Sequence, residues 1–376
     1  MLGTTIWYSH RFAHLACRQA LFFMLKRKFL FFFCWLSWAL TTPLSASEEP
    51  FDVWMGVHTS HWAHVKQERD LIDLQKYRLL FNKNFNLIHS AQGPVKIPRT
   101  VHFIWLGPHP FPPASVSNVR SWIAQNPDWE FKFWTDRPRD PPCRGMETIV
   151  IKEYPFSTLK RCYATSNNWG EKSDILRYEI LYAQGGVYVD HDASCLQPFL
   201  PYHQAYDLFC GLETPHPPFI GRSITAGNGV IGSCPLHPVI KSVIDLIDQR
   251  WERIAERFAQ DTTIQPEQIV IERTYIALTD ALALALDRPG YTDIVLPAAY
   301  FFPKKGLKPI LSEHFFANSW AGGKSSIQRF EREVKKEMQK IEKRFDRLTL
   351  LLLGLLALDL ALLGLSICYS KRLACK

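Results

Sequence analysis

The sequence predicts an α/β protein built on an open sheet flanked by helices. The main observation is one continuous stretch in the middle of the chain. Apolar residues recur at helical spacing between Lys172 and Gln184. Gly185-Gly186 follows, which is typical of a helix end because glycine takes the left-handed conformation at little cost. The β-branched and aromatic run Val187-Tyr188-Val189 then predicts a short buried strand.

A second observation is a strand followed by a helix at the start of the globular part. The run Thr100–Gly107 predicts a strand that enters a proline-rich loop, and Ser115–Gln125 predicts the next helix. Open sheets of this kind bind ligands at the carboxyl ends of their strands. The other predicted elements are a lid or peripheral helix at His61–Phe81, a break at Pro94–Pro98, strands at Trp129–Trp134, Thr148–Lys152 and Leu208–Glu213, a turn and strand at Gly227–Ser233, and helices at His237–Phe258 and Thr274–Leu286.

Acidic residues stand where the central predicted strand ends. Asp190-His191-Asp192 begins at the point where that strand should run out into a loop. Two carboxylates one residue apart offer the hard oxygen ligands that Mg²⁺ or Mn²⁺ prefers. Asp174 and Arg177 are spaced i,i+3 and so project from one face of the preceding helix. An isolated Asp-x-Asp carries little information, but this arrangement predicts a cleft with charged groups beside a metal site.

The order Asp-x-x-Arg, helix, Gly-Gly, apolar strand and Asp-x-Asp resembles the DXD-containing glycosyltransferases of family 32. That family includes yeast Golgi and inositol-phosphoceramide mannosyltransferases and is related to the glucosyltransferase domains of large clostridial toxins. The resemblance covers about Ile97 to Trp320. It implies a GT-A-like nucleotide-sugar-binding sheet. It also implies a metal-dependent, retaining transfer of a hexose (mannose, glucose or galactose) from a nucleotide sugar to a glycan, glycolipid or protein acceptor.

The resemblance implies catalytic roles for individual residues. Asp190 and Asp192 would hold Mn²⁺ or Mg²⁺, and His314 is offered as a third metal ligand. Asp174 and Arg177 would hold hydroxyl groups of the donor sugar, the carboxylate as acceptor and the guanidinium as a planar fork of donors. No carboxylate base behind the anomeric carbon is implied, because the reaction is a retaining one.

Further residues are expected to bind the donor. Spacing alone would assign Trp105 to the core, whereas the resemblance implies that it stacks on the nucleotide base. Ser319 and Trp320 would lie near the diphosphate, although they are adjacent here and separated by one residue in the toxins. Asn228 either reaches a sugar hydroxyl or simply forms an Asn-Gly turn.

Several other function classes are disfavoured. The chain has no Gly-x-x-x-x-Gly-Lys-Ser/Thr motif, which excludes a P-loop. Its net charge of +8 comes without a basic patch interleaved with aromatic residues, so no nucleic-acid partner is expected. One alternative is a haloacid-dehalogenase-like phosphohydrolase, but Ala193-Ser194 stands where that class has threonine two residues on. Another alternative is a catalytically inactive, membrane-anchored interaction protein. The presence of Asp174, Arg177, Asp190 and Asp192 argues against it.

Both ends of the chain are predicted to be membrane-directed. Lys26-Arg27-Lys28, the apolar run Phe29–Leu40 and small residues after it resemble a secretory signal, either cleaved or kept as an anchor, with Met24 as an alternative start. The 22 residues 348–369 are dominated by leucine and can cross a hydrocarbon core of about 30 Å. The predicted organisation is a signal segment at 1–47, a glycosyltransferase domain at 48–323, a charged juxtamembrane helix at 324–347, a transmembrane helix at 348–369 and a basic tail at 370–376.

The compartment and the partners follow from these segments. A signal peptide would make the catalytic domain lumenal or exported, whereas lysine and arginine before the span would keep it cytoplasmic. The N-terminal signal is given more weight. The juxtamembrane helix either self-associates through a heptad-like stripe or lies on the domain or the lipid surface. Cysteines without C-x-x-C spacing argue against structural zinc and leave disulfides open: Cys143, Cys162, Cys195, Cys210 and Cys234.

Overall fold

The structure, a computed structural model, describes residues 50–90, 93–218, 220–260 and 266–317. The chain divides into two compact units, Met1–Val53 and Trp54–Lys376. Only residues 50–53 of the first unit are described, and they begin the first helix. The sheet and the site belong to the second unit.

The described helices and strands alternate along much of the chain. The helices are α1 (Pro50–Met55), α2 (Glu68–Asn84), α3 (Val116–Gln125), α4 (Lys160–Thr165), α5 (Trp169–Gln184), α6 (Leu200–Ala205), α7 (Pro238–Gln260), α8 (Pro266–Val270) and α9 (Ile276–Ala285), with a π-helical turn at Ile271–Tyr275. Short 3₁₀ helices lie at Ser60–His64, Phe85–His89, Pro113–Ser115 and Ala298–Tyr300. The strands are β1 (Thr100–Trp105), β2 (Glu130–Thr135), β3 (Met146–Val150), β4 (Gly186–Val189), β5 (Ala193–Cys195), β6 (Leu208–Leu212), β7 (Ala226–Ser233), β8 (Asp293–Leu296) and β9 (Ser312–His314).

Seven strands form one mixed sheet in the order β3-β2-β1-β4-β7-β6-β8. β1, β2, β3 and β4 are mutually parallel, β7 runs antiparallel to both β4 and β6, and β8 is parallel to β6. All strands except β7 therefore end at the same edge of the sheet. β5 and β9 form a separate antiparallel ribbon. The predicted α/β class with a central sheet is confirmed.

Helix α5 is held at both ends and buried along its length. The side chain of Asn168 accepts hydrogen bonds from the backbone N–H groups of Gly170 and Glu171, which satisfies donors that a helix start leaves unpaired. Gly185 ends the helix with a φ of 66°, and a side chain there would lie within 3 Å of Pro235 and of the carbonyl of Ser233. The predicted helix, its glycine end and the strand after it are present.

The predicted helix at His61–Phe81 is wrong as a single element. A 3₁₀ helix at Ser60–His64 precedes α2, and the two are separated by extended residues. Leu74, Tyr77 and Phe81 of α2 are buried, so this helix belongs to the core and is not a lid.

The predicted turn at Asn228 is also wrong, because Asn228 lies inside β7. Its glycine neighbours serve close packing: a Cβ at Gly227 would lie 2.5 Å from the ring of Phe302. The same segment fits the pattern Gly-x-Gly-x-x-Gly, but a strand interior is not the strand-to-helix turn that a dinucleotide site needs. The predicted helix at Thr274–Leu286 begins earlier, at Pro266, and contains the π-helical turn.

Predictions about the chain ends lie outside the described residues. This applies to the signal segment 1–47, the juxtamembrane helix 324–347, the span 348–369 and the tail 370–376. Among the residues that the structure describes, no helix is long and apolar enough to cross a membrane. The cysteines of the described region are all free thiols: Cys143, Cys162, Cys195, Cys210 and Cys234.

Glu179 of α5 fixes the loop that precedes α4. Glu179 as a whole is only 1% exposed. Its carboxylate accepts hydrogen bonds from the backbone N–H groups of Ser157 at 2.7 Å, Thr158 at 3.1 Å and Leu159 at 2.8 Å. Glu179→Gln removes the negative charge. It also replaces one accepting oxygen by an amide NH₂ group, which cannot accept a hydrogen bond from the backbone N–H groups that face it. We expect the free energy of unfolding in urea to fall by about 2 to 4 kcal/mol. The control Glu130→Gln, whose side chain is 74% exposed, should change it by less than about 0.5 kcal/mol. Equal effects of the two variants would contradict this role.

Candidate active site

The candidate active site lies at the sheet edge where β4 ends. Because β7 is antiparallel to β4, the end of β4 meets the first half of β7. The backbone N–H of Asp190 donates to the carbonyl of Gly229 at 2.8 Å, which continues the pairing one residue beyond β4. The two carboxylates of the Asp-x-Asp therefore leave the sheet beside a glycine-rich stretch of β7.

Three possible metal ligands meet at this edge. The ligand atoms of Asp190, Asp192 and His314 all lie within 4.8 Å of one another. His314 reaches the pair because β9 pairs with β5, which follows Asp192 directly in the chain. Its Nε2 lies 3.3 Å from Asp190 Oδ2 and 3.4 Å from Asp192 Oδ1. The backbone N–H of Ala317 donates to Asp192 Oδ2 at 2.6 Å and fixes that carboxylate. We call these three residues the ligand triad.

The ligand triad fits a divalent cation by its chemistry and by the space around it. Two carboxylates provide the oxygen-rich set that Mg²⁺ and Mn²⁺ prefer, and an imidazole is a common additional ligand. A Cβ at Gly229 would lie 2.8 Å from Asp190 Oδ2 and 2.9 Å from His314 Nε2. Glycine at this position therefore lets both ligands lie close to the backbone of β7.

Arg177 is the buried cation beside the ligand triad. Its Nη2 lies 3.1 Å from Asp190 Oδ1, 3.0 Å from Asp174 Oδ1 and 2.9 Å from the hydroxyl of Tyr188, while Nη1 donates to the carbonyl of Asn228. The guanidinium also stacks 3.9 Å from the centre of the Tyr188 ring. Only 4% of the Arg177 side chain is exposed. The predicted proximity of Asp174, Arg177 and the Asp-x-Asp is thus present, and one guanidinium bridges them.

Three neighbouring groups keep Asp190 ionised. Burial opposes its ionisation, but Arg177, His314 and the Tyr188 hydroxyl outweigh burial, so the pKa of Asp190 lies well below its usual range. Burial raises the pKa of Tyr188 far above its usual value, so its hydroxyl stays protonated and donates to Asp190 Oδ1 at 2.6 Å. Burial lowers the pKa of His314, but Asp192 and Asp190 raise it by more.

Both oxygens of the Asp174 carboxylate accept hydrogen bonds from other side chains. The amide of Asn228 donates to its Oδ1 at 3.2 Å, and the hydroxyl of Thr274 donates to its Oδ2 at 2.7 Å. Thr274 lies in the π-helical turn, 100 residues further along the chain. Burial raises the pKa of Asp174 above its usual value, although Arg177, Thr274 and Asn228 favour the charged form.

Trp105 lies at the end of β1, on the opposite side of β4 from β7. Its indole N–H donates to the carbonyl of His109 at 2.9 Å. Its ring makes edge contacts with Phe111 and with His191, at centroid distances of 5.5 and 5.0 Å. The side chain is half-buried and next to the Asp-x-Asp. Its predicted role in stacking on a base stays a prediction, as do the roles of Ser319 and Trp320, which lie outside the described residues.

Sequence reasoning missed three residues of the site. The sequence predicts Tyr188 only as part of a strand, Gly229 only as part of a turn and strand, and Thr274 only as the start of a helix. The alternation of β4 places Tyr188 on the same face as Asp190, which could have been foreseen from the strand period of two. Nothing in the sequence indicates Gly229 or Thr274, because both act through contacts between distant segments.

Gly229→Ala tests the space that the ligand triad needs. The added methyl would push the side chains of Asp190 and His314 apart, so we expect the Kd for Mn²⁺, measured by electron paramagnetic resonance, to rise at least about tenfold. Gly93→Ala is the control, because nothing lies within 4 Å of a Cβ there and its φ is not positive. Unchanged Mn²⁺ affinity in a folded Gly229→Ala protein would show that the triad is not the metal site.

Two glycosyltransferase domains are among the solved structures with which this chain aligns. The PaToxG glycosyltransferase shares 20% identity over 57% of this chain and 79% of that domain, with a TM-score of 0.38. The UDP-bound glycosyltransferase domain from the YGT toxin shares 10% identity over 54% of this chain and 80% of that domain, also with a TM-score of 0.38.

Curated relatives match part of the chain. Subversion of eukaryotic traffic protein A of Legionella pneumophila is 30% identical over 183 residues, which are 45% of this chain and 28% of that protein. Inositol phosphoceramide mannosyltransferase 3 of Schizosaccharomyces pombe is 30% identical over 178 residues, which are 46% of this chain and 42% of that protein. The chain thus spans less than half the length of either relative.

The matching family is described as a glycosyltransferase sugar-binding region containing a DXD motif, and it covers residues 112–208. This span contains Asp174, Arg177, Asp190 and Asp192, whereas His314 lies beyond it. The resemblance seen in the sequence is confirmed over this region, which is similar to the sugar-binding region of glycosyltransferases that carry the DXD motif.

Proposed function

We propose that the protein is a metal-dependent, retaining hexosyltransferase with a GT-A-like sheet, which moves a sugar from a nucleotide sugar to an acceptor hydroxyl. The observation that carries the proposal is the meeting of the ligand triad with the buried pair of Asp174 and Arg177 at one strand end. The match to the DXD-containing family is independent support.

The ligand triad would hold Mn²⁺ or Mg²⁺. Bound there, the cation would supply positive charge that stabilises the departing diphosphate. The chain itself keeps the ligands in place: Arg177 and Tyr188 hold Asp190, and the backbone of Ala317 holds Asp192. Fixed groups of this kind lower a barrier because they need no reorganisation during the reaction, and each 1.4 kcal/mol or so is worth about tenfold in rate.

Asp174 would orient the donor sugar. Its Oδ1 is shared by Arg177 and Asn228, whereas Oδ2 accepts from Thr274 alone among the described residues. A carboxylate oxygen has two lone pairs, so Oδ2 keeps one for a sugar hydroxyl. Arg177 already uses both terminal nitrogens within the protein, and its main task would be to hold the carboxylates.

Retention of the anomeric configuration is proposed from the family resemblance. The bond from the anomeric carbon to the diphosphate breaks, a bond to the acceptor oxygen forms on the same face, and the acceptor proton passes to the departing phosphate. Because the departing phosphate takes the acceptor proton, the reaction needs no separate carboxylate base. Trp105 would stack on the base of the donor, and Ser319 and Trp320 would lie near the diphosphate.

The names of the fungal relatives favour a mannose donor and a lipid acceptor that carries phosphorylated inositol. A membrane acceptor agrees with the predicted signal segment and C-terminal span, and the proposed location is a lumenal or exported domain on a membrane anchor. Glycan and protein acceptors are the alternatives within the same proposal.

The geometry favours transfer over the two alternative functions. In a haloacid-dehalogenase-like enzyme the first aspartate attacks phosphorus, but Asp190 is already engaged by Arg177, Tyr188 and His314. An inactive interaction protein would have no need for a buried guanidinium among carboxylates, since such an arrangement is costly to desolvate.

A panel of UDP- and GDP-sugars tests the proposal with the full-length protein. We expect hydrolysis of one donor without acceptor in the presence of Mn²⁺ and none with a chelator. The double variant Asp190→Asn with Asp192→Asn should lose at least about a hundredfold in kcat/KM, because a bound metal contributes several kcal/mol of charge stabilisation. The matched control Asp128→Asn with Asp140→Asn removes two exposed charges and should retain turnover. A folded protein that hydrolyses no donor would contradict the proposal.

Thr274 gives a second test of the same mechanism. Thr274→Val keeps the side-chain volume but leaves Asp174 Oδ2 without its donor. We expect kcat/KM for donor hydrolysis to fall about tenfold, in line with one lost charge-assisted hydrogen bond. Thr274→Ser should retain activity, because it restores the hydroxyl. Equal activity of the valine and serine variants would show that Thr274 does not position Asp174.

A further inference from the structure

The loop that follows Trp105 is held by residues of the connection that follows the neighbouring strand. β1 and β2 are parallel, and Trp105 is paired with Thr135 where the two strands end. Because β4 is parallel to β1, both strands end at the same edge of the sheet as the Asp-x-Asp. Residues 136–145, which connect β2 to β3, contact residues 106–112, which lead from β1 to the next 3₁₀ helix.

Arg139 binds this loop through its whole guanidinium group. Nη1 donates to the carbonyl of His109 at 2.7 Å, Nη2 donates to the carbonyl of Gly107, and Nε donates to the hydroxyl oxygen of Thr135 at 3.0 Å. The Arg139 side chain is only 13% exposed, although His109 itself is exposed. The guanidinium thus joins the end of β2 to two carbonyls of the loop after β1.

One of these carbonyls is shared with Trp105. The indole N–H of Trp105 donates to the carbonyl of His109 at 2.9 Å, the same oxygen that accepts from Arg139. A carbonyl oxygen has two lone pairs, so it can accept both donors. Arg139 therefore limits the orientation of the Trp105 ring through a shared acceptor.

Two further contacts hold the loop at Gly107. Its backbone N–H donates to Asp136 Oδ1 at 3.2 Å, and the Asp136 carboxylate lies 3.8 Å from Arg139 Nη2. Gly107 has a φ of 92°, and a Cβ there would lie 2.7 Å from the ring of Trp169, the first residue of α5. The loop is thus fixed between the end of β2 and the start of α5.

Fold stability alone does not account for this arrangement. The carbonyl of an exposed loop residue such as His109 can bind water at little cost, so it does not require a guanidinium. A flat ring that binds a ligand does need a fixed orientation, because freedom that is lost only on binding weakens the affinity. The contacts of Arg139 supply that fixed orientation to the ring of Trp105.

We propose that Arg139, supported by Asp136, is a positioning residue for the donor nucleotide. It fixes the loop so that the Trp105 ring is oriented for stacking before the base arrives. The inference rests on the proposed function, from which it takes the stacking role of Trp105. Arg139 acts through the carbonyl that it shares with Trp105 and not through a contact of its own with the base.

The test is the binding of UDP and of GDP to the full-length protein with Mn²⁺, measured by calorimetry. Pyrophosphate is the comparison ligand, because it binds a metal but has no base. Arg139→Met removes the hydrogen bonds to the loop and to Thr135, and it should weaken binding of the preferred nucleotide about fivefold or more. The Kd of pyrophosphate should change by less than about twofold, since Arg139 does not contact the ligand triad.

Arg144→Met is the matched control, because it removes an exposed arginine from the same connection between β2 and β3. It should leave both affinities unchanged. Equal losses of nucleotide and pyrophosphate affinity in Arg139→Met would show that Arg139 acts on the diphosphate or the metal, and would overturn the inference. A lower free energy of unfolding with unchanged nucleotide affinity would overturn it as well, because the role would then be structural only.

The double variant with Trp105→Ala shows whether Arg139 acts through the ring. Trp105→Ala alone should weaken nucleotide binding about tenfold or more, as is typical when a stacked aromatic ring is removed. If Arg139 acts through Trp105, adding Arg139→Met should cost less than about twofold further. Additive losses in the double variant would overturn the inference.

Failure of the proposed function would look different. In that case UDP or GDP would still bind in a manner that depends on Arg139, while no nucleotide sugar would be hydrolysed. Binding of neither nucleotide by the wild-type protein would overturn the proposed function and the inference together.

Discussion

The guanidinium of Arg177 joins the three elements on which the site depends. It stands on α5, contacts Tyr188 and Asp190 at the end of β4, and donates to the carbonyl of Asn228 in β7. A buried cation is costly to remove from water unless its partners are close and well oriented. Here the carboxylates of Asp174 and Asp190 lie within 3.1 Å of the same nitrogen. If the strand end moved, this charge would lose its compensation, so the position of Asp190 is coupled to the packing of α5.

The antiparallel direction of β7 is the second constraint. A parallel strand beside β4 would end at the same edge and would bring a loop there. β7 instead begins at this edge, and its extended backbone brings Asn228 and Gly229 directly against the Asp-x-Asp. The absence of a side chain at Gly229 is what allows Asp190 and His314 to approach from either side. The ribbon of β5 and β9 then closes the site by carrying His314 across a sequence separation of 124 residues.

The parts of this arrangement that the sequence predicts are the local ones. The stretch from Lys172 to Asp192 contains its own helix spacing, its own glycine end and its own strand, so α5, β4 and the position of the Asp-x-Asp can be read from neighbouring residues. Asn228 cannot be assigned correctly from the sequence, because Asn-Gly favours a turn in isolation, and the segment becomes a strand through the pairing of β7 with the distant strands β4 and β6. Thr274 could not be found, because a π-helical turn has no clear sequence pattern and its partner Asp174 is 100 residues away. His314 was indicated only through the family resemblance.

The positive charges near the ligand triad stand in two different environments. Carboxylates gather on the side of α5, where Arg177 compensates them, whereas Lys304 lies against the ring of Phe316, which contacts the ring of His314. Within the described residues Lys304 is not paired with an acid, unlike Lys96, which pairs with Asp207 at 2.8 Å near the opposite end of β6. Instead it rests on the ring of Phe316, where a cation–π contact contributes only about 0.5 to 1 kcal/mol at a partly exposed position. The Lys304 charge thus reaches His314 only across this ring, whereas Arg177 contacts the carboxylates directly, so Arg177 is the cation that compensates their charge.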